Sequence, residues 1–213
     1  MTDLLADPAV FLQRLILQIP ALLIAVTVHE LAHALVADRL GDSTARMLGR
    51  ITLNPLPHID PLGAVAFVVA GFGWAKPVPV NARNFRHPVR DMAGVAAAGP
   101  VANFATAFAA LLVLVALGRS DVLPQPLLRA LSYVYTFNLA LGIFNLIPLP
   151  PLDGGHFLAY LLPRSASGLV PLLERYGMFI LLLLVFTGAT RWIVGPAFDW
   201  TSRIMIGLAR LIV

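Results

Sequence analysis

An all-α polytopic membrane protein is the fold class this sequence predicts: a helical core carrying one short membrane-associated β-hairpin or re-entrant loop. Three observations predict it. Of 213 residues, 59% are hydrophobic and only 12% charged, where ordinary soluble domains carry roughly 25% charged residues. Several apolar runs are long enough to cross a bilayer core of about 30 Å as a helix rising about 1.5 Å per residue. One further apolar run is too short to do so and is punctuated by glycines.

The first span is expected over about residues 11–37, bent at Pro20, which removes a helical hydrogen bond. A polar stretch rich in Gly, Pro and Asn follows, from 38 to 60. Residues 62–75 are apolar but short, with β-branched and aromatic residues among Gly63, Gly71 and Gly73. They are expected to form a re-entrant loop or hairpin, which membrane depth tolerates only where it lines a cavity. Lys76 to Asn81 extends it as an edge strand, since Pro77 and Pro79 cannot donate to a ladder. A second span covers 93–118, without a charge. A third runs over 130–162 and is broken near 148–155 by Pro148, Pro150 and Pro151 and by Asp153-Gly154-Gly155. A fourth covers 172–190. Over 192–213, Asp199, Arg203 and Arg210 share one helical face, so an interfacial amphipathic helix and an extra span are both open. The whole chain is expected to be a single domain.

Charge sets the orientation. Seven basic residues lie between Asp38 and Asp91, against two, Arg119 and Arg129, in the next loop. The positive-inside rule places the first segment in the cytoplasm. The net charge of +4 then orients the chain in a bilayer and does not point to nucleic acid. There is no cysteine, hence no disulfide or thiolate metal site. Asp3 and Asp7 stand where a signal peptide would carry positive charge. All but one of the 15 basic residues are arginine, a usage that hints at a GC-rich bacterial genome.

His29-Glu30-Leu31-Ala32-His33 lies inside the first apolar run, with no charge from Leu15 to Val28. Ionisable groups within a span are costly and mark function. Residues four apart share a helix face, so His29 and His33 can point at one metal ion with Glu30 beside it. Zinc takes imidazole nitrogen at about 2.0–2.1 Å, and a neighbouring carboxylate can take a proton from the water it activates. A catalytic zinc needs a third protein ligand. Asp153, the one acidic residue between Asp121 and Glu174, sits at a Pro- and Gly-rich break in an apolar helix and is the candidate. Capping a helix N-terminus is its other possible role. His58 and His87 read as loop residues, and Trp74, Trp192 and Trp200 as interfacial anchors.

The His29–His33 motif, followed by Asn145-Leu146-Ile147-Pro148-Leu149-Pro150-Pro151-Leu152-Asp153-Gly154-Gly155, resembles the site-2 protease family of intramembrane zinc metalloproteases (peptidase family M50). Gly99-Pro100-Val101-Ala102-Asn103 also matches a family pattern. The likeness runs from about residue 15 to 190. It implies a site-2-protease-like core binding one Zn2+ per chain through His29, His33 and Asp153, with Glu30 as general base. It implies that Asn145, and more weakly Asn103, hold substrate backbone. Either asparagine could instead cross-link helices. It implies that Gly71–Asn81 is the family's membrane-associated β-hairpin, with Gly71 and Gly73 among the substrate-binding positions and an edge to which an unwound substrate adds as a strand. Set beside larger relatives, the chain is expected to carry no PDZ-like insertion between the second and third spans and no CBS domain.

The expected activity is zinc-dependent cleavage of a peptide bond within or near a transmembrane segment of another membrane protein, as in regulated intramembrane proteolysis. The expected partners are that substrate and the lipid bilayer. The expected place is a bacterial inner membrane, with the active site toward the cytoplasm. The alternative is a catalytically idle membrane scaffold that retains the zinc site. A metal transporter fits less well, because only one ligand cluster is evident.

Overall fold

The computed structural model describes residues 7–70, 73–118, 123–162 and 168–213. Its first helix, α1, spans Pro8–Arg39. Asp7 caps it, its Oδ1 accepting from the N–H groups of Ala9 and Val10 at 3.0 and 3.2 Å, so it begins earlier than the hydrophobic run alone suggests. It continues through Pro20. A turn at Gly41, whose φ of +113° suits glycine, leads to the short α2, Thr44–Met47.

The next segment corrects the expected β-hairpin or re-entrant loop. Residues Pro61–Ala70 form a helix, α3. Asp60 starts it, with Oδ1 accepting from Gly63 N–H at 2.9 Å and its carbonyl from Ala64 N–H at 2.9 Å. An aspartate followed by proline is a strong helix-start signal, and here it outweighs the β-branched side chains. Beyond it, residues 73–81 form a strap without regular secondary structure. Among the described residues there is no β-strand, only one isolated antiparallel bridge between Ile59 and Ala75. The reason is local: Pro77 and Pro79 remove alternate ladder donors. Lys76 N–H donates to the His58 carbonyl oxygen, while Val78 N–H and Asn81 N–H donate to the side chains of Glu30 and Asp42.

Helix α4, Pro88–Leu117, follows, then α5, Gln125–Asn145. The chain breaks over Leu146 to Leu152 and resumes as α6, Asp153–Leu161. Glycine is required there. A Cβ on Gly154 would lie 2.2 Å from the Ile147 carbonyl oxygen, and one on Gly155 would lie 2.7 Å from Pro150 N. The last helices are α7, Leu169–Phe186, and α8, Thr190–Ile212.

Helices α1, α4 and α5 form the centre, with α6 and α8 packed against α4. Small buried residues such as Ala21, Ala25, Ala34, Ala96 and Ala107 let the backbones approach, as in membrane bundles. Residues of α8, among them Phe198 and Met205, pack on Ala107, Leu139 and Ile143, and Tyr135 Oη donates to Ser202 Oγ at 2.7 Å. Helix α7 rests on the broken segment through Leu181. Its Gly177 lies where a Cβ would sit 1.9 Å from the Pro150 carbonyl oxygen. Among the described residues, α1, α4, α5 and α7 are long and apolar enough to cross a membrane. Large exposed apolar side chains such as Phe179 and Phe186 suit a lipid-facing surface.

Candidate metal centre

His29 and His33 sit one turn apart on α1, 5% and 8% exposed. Asp153 opens α6, which the chain break brings back against them. His29 Nε2 and His33 Nε2 are 3.0 Å apart. Asp153 Oδ2 is 3.2 Å from the first and 3.3 Å from the second. Among the described residues this is the one His/Asp/Glu group able to hold a metal ion.

The hydrogen bonds behind the ligands decide what can fill the space between them. His33 Nδ1 faces the Val95 carbonyl oxygen at 2.8 Å, which only accepts, so the proton sits on Nδ1. His29 Nδ1 faces Asn103 Oδ1 at 2.6 Å, with the same result. In the neutral rings both Nε2 atoms are then bare. Two imidazole lone pairs and a buried carboxylate oxygen that has no hydrogen-bond donor converge on one point. A cation relieves that arrangement. The three separations also approach the edge of a tetrahedron with bonds of about 2.0–2.1 Å, which is about 3.3 Å. The donor set, two nitrogens and one oxygen, is one that zinc accepts.

Gly99 makes room for the centre. A Cβ there would lie 2.4 Å from His33 Nε2 and 2.5 Å from His29 Cε1, so only glycine lets α4 pass this close to the histidine pair. Nothing in the Gly99–Asn103 motif by itself shows this task, which depends on how closely α4 passes α1.

Glu30 is 7% exposed. Its Oε2 accepts from Val78 N–H at 2.8 Å, so the strap lies across the carboxylate. Arg50, 6% exposed, anchors the strap by donating to the Lys76 and Pro77 carbonyl oxygens at 2.6 and 3.1 Å. Asp42 anchors its far end, accepting from Asn81 N–H at 2.7 Å. Nothing in the local sequence marked Arg50 or Asp42 for this, because each meets the strap only through tertiary folding.

Asn103 is fully buried, and its Nδ2 donates to Ala25 O and to Asn138 Oδ1, both at 2.9 Å. Asn145 is half-buried at the end of α5 and donates to Leu141 O at 3.0 Å. Gly73 packs against α3, where a Cβ would meet the Gly63 carbonyl oxygen at 2.2 Å. The strand edge foreseen for Gly73 is not formed, and Gly71 lies outside the described residues. His58 is buried in the loop before α3, with Nε2 3.1 Å from Thr52 O. His156 is exposed on α6. Asn138, a buried amide in an apolar helix seven residues before Asn145, had a legible signal and was missed.

Comparison with known proteins gives one consistent answer. The profile of "Peptidase family M50" matches residues 116–187. A candidate zinc metalloprotease of Bacillus subtilis, YwhC, is 40% identical over 180 residues, covering 82% of each chain. A candidate zinc metalloprotease of Mycolicibacterium smegmatis, Rip2, is 30% identical over 193 residues, 87% of this chain and 73% of that one. Zinc metalloprotease MJ0392 of Methanocaldococcus jannaschii is 28% identical over 144 residues, 68% of this chain and 34% of that one. No solved structure matches significantly. With a buried His-His-Asp centre among helices that can span a bilayer, and with relatives of this closeness, the chain belongs to peptidase family M50.

Proposed function

We propose that this zinc-dependent intramembrane endopeptidase uses Glu30 as its general base, with His29, His33 and Asp153 as the ligands of its one zinc ion. The observation that carries the reading is the convergence of three bare ligand atoms on one point, with a buried carboxylate at the next position along the helix. The metal, when bound, supplies the positive charge that polarises the scissile carbonyl and acidifies water.

The protein's residues do the rest. Glu30, fixed at Oε2 by Val78 N–H, takes a proton from water and later delivers it to the leaving amine. Asn145, half-buried just before the broken segment that leads to Asp153, holds substrate backbone near the metal. For Asn103 the buried amide favours holding His29 over touching substrate. The substrate is a transmembrane segment of another protein, and it must unwind locally, because a helical peptide bond is shielded. The basic residues between α1 and α4 support, by the positive-inside rule, an active site toward the cytoplasmic side of a bacterial inner membrane. We read the chain as a single protease domain.

Elemental mass spectrometry on the detergent-purified chain tests the ligand set. About one zinc per chain is expected, lost in His33→Ala and Asp153→Ala. Retention in Asp153→Ala alone would mean a different third ligand. Glu30→Gln is expected to keep zinc and lose cleavage of a transmembrane peptide. Unchanged turnover in that variant would sink Glu30 as the base.

A further inference from the structure

The contact between α4 and α5 hides a polar residue that neither the ligand set nor the proposed chemistry uses. Asn138 is fully buried. Burying an amide without partners is costly, so its bonds define what it does. Its Nδ2 donates to Val134 O at 2.8 Å, which identifies the nitrogen end of the amide and leaves Oδ1 to accept. That oxygen receives Asn103 Nδ2 at 2.9 Å, and the same Nδ2 also donates to Ala25 O. Two pure acceptors therefore hold the nitrogen end of Asn103 away from the metal centre. Asn103 Oδ1 is turned to His29 Nδ1 at 2.6 Å. An oxygen at that place requires the proton on Nδ1 and leaves Nε2 bare for a metal.

We propose that Asn138 is a positioning residue for the metal centre: through Asn103 it fixes the tautomer and ring plane of His29, and thereby sets metal affinity. The relay runs from α5 through α4 to α1 and touches neither metal nor substrate. His33 needs no such relay, because its partner is a backbone carbonyl that cannot flip. An amide can flip, and with Asn138 lost only Ala25 O resists it. The simpler view is that Asn138 merely cross-links two helices, which predicts an effect on stability and none on the metal.

The inference rests on His29 being a ligand, and the test separates the two. Zinc affinity of the full chain in detergent is measured by competition with a chromophoric chelator, beside thermal unfolding. Asn138→Ala is expected to weaken zinc by about 10- to 100-fold, the usual effect of losing a partner behind a ligand. Asn138→Asp, held as the neutral acid by burial so that its O–H donates to Val134 O in place of Nδ2, keeps the oxygen that accepts from Asn103 and is expected to stay close to wild type. In an Asn103→Ala background, Asn138→Ala is expected to change nothing further, since residues acting in series are not additive. Leu139→Ala, a buried neighbour off the relay, is expected to lower Tm without moving zinc affinity. Where Asn138→Ala fails to fold, Asn138→Leu, which fills the space without an acceptor, takes its place. Wild-type affinity in the folded variant, Asn138→Asp as weak as Asn138→Ala, or effects that multiply in the double variant would each overturn the relay. If His33→Ala loses zinc while Asn138→Ala keeps it, the relay alone falls. A wild-type chain that takes up no zinc overturns the ligand set and the relay together.

Discussion

Val78 holds Glu30 through its main chain, the N–H donating to the carboxylate Oε2 at 2.8 Å across a separation of 48 residues. A hydrogen bond to a charged group contributes about 1.5–3 kcal/mol, and here it fixes the direction of the proposed base. Val78→Pro removes the donor while keeping the extended conformation already favoured by Pro77 and Pro79. Zinc content is expected to be unchanged and cleavage of a transmembrane peptide to fall by about tenfold or more. Wild-type turnover in that variant would mean that the contact does not orient the base.

Arg50 holds the strap in turn. Its guanidinium bonds two successive carbonyl oxygens, a fork that a lysine ammonium cannot reproduce. Arg50→Lys is expected to free the strap in part and Arg50→Ala fully. Limited proteolysis within residues 73–81 should accelerate in that order, with cleavage activity falling and zinc retained. Equal proteolysis rates in all three proteins would show that Arg50 is not the anchor.

Asp42 gives the strap a pH dependence. Burial pushes its carboxyl pKa up, but the Thr44 hydroxyl, Asn81 N–H, the Asn84 amide and Thr44 N–H outweigh this and hold it below the usual carboxylate range. A pKa depressed by folding stabilises the folded state above the unfolded value of about 3.9, and that stability is lost as pH falls through the lower folded value. Between pH 6 and 3, Tm of the wild type is therefore expected to fall more steeply than that of Asp42→Asn. At neutral pH the variant is expected to be less stable by about 1–3 kcal/mol. Parallel Tm curves would remove Asp42 from this role.

Gly99 sets the spacing of α1 and α4 at the metal. In Gly99→Ala the added Cβ would overlap His33 Nε2 and His29 Cε1, and neither ring can retreat without breaking its bond to Val95 or Asn103. Overpacking of this kind costs about 1–3 kcal/mol. Zinc content by elemental analysis is expected to drop sharply, with a lower Tm. Full zinc loading in Gly99→Ala would show that the centre has more slack than these distances imply.

Much of the centre was legible before any folding was considered. His29 and His33 share a face by helical period alone, so a single helix already defines two of the proposed ligands. Asp153 could be singled out because a lone carboxylate beside two glycines, at a break in an apolar run, needs a partner. The edge strand expected over Lys76 to Asn81 does not form, because prolines at alternate positions deny it a ladder. The helix of residues 61–70 was misread from its β-branched content, when Asp60-Pro61 carried the stronger signal.

The features legible in the sequence are therefore local: the apolar runs that make spans, the one-turn spacing of the histidines, and the chain break that carries Asp153. Which groups meet across helices depends on packing: Val95 behind His33, Asn103 and Asn138 behind His29, Val78 on Glu30, and Gly99 against the ring pair. The physical reason is that an amide in an apolar helix reveals that it must find a partner, but not which one. The partner is set by the rotation and close approach of α1, α4 and α5, and these depend on the fit of small side chains along the whole length of the three helices.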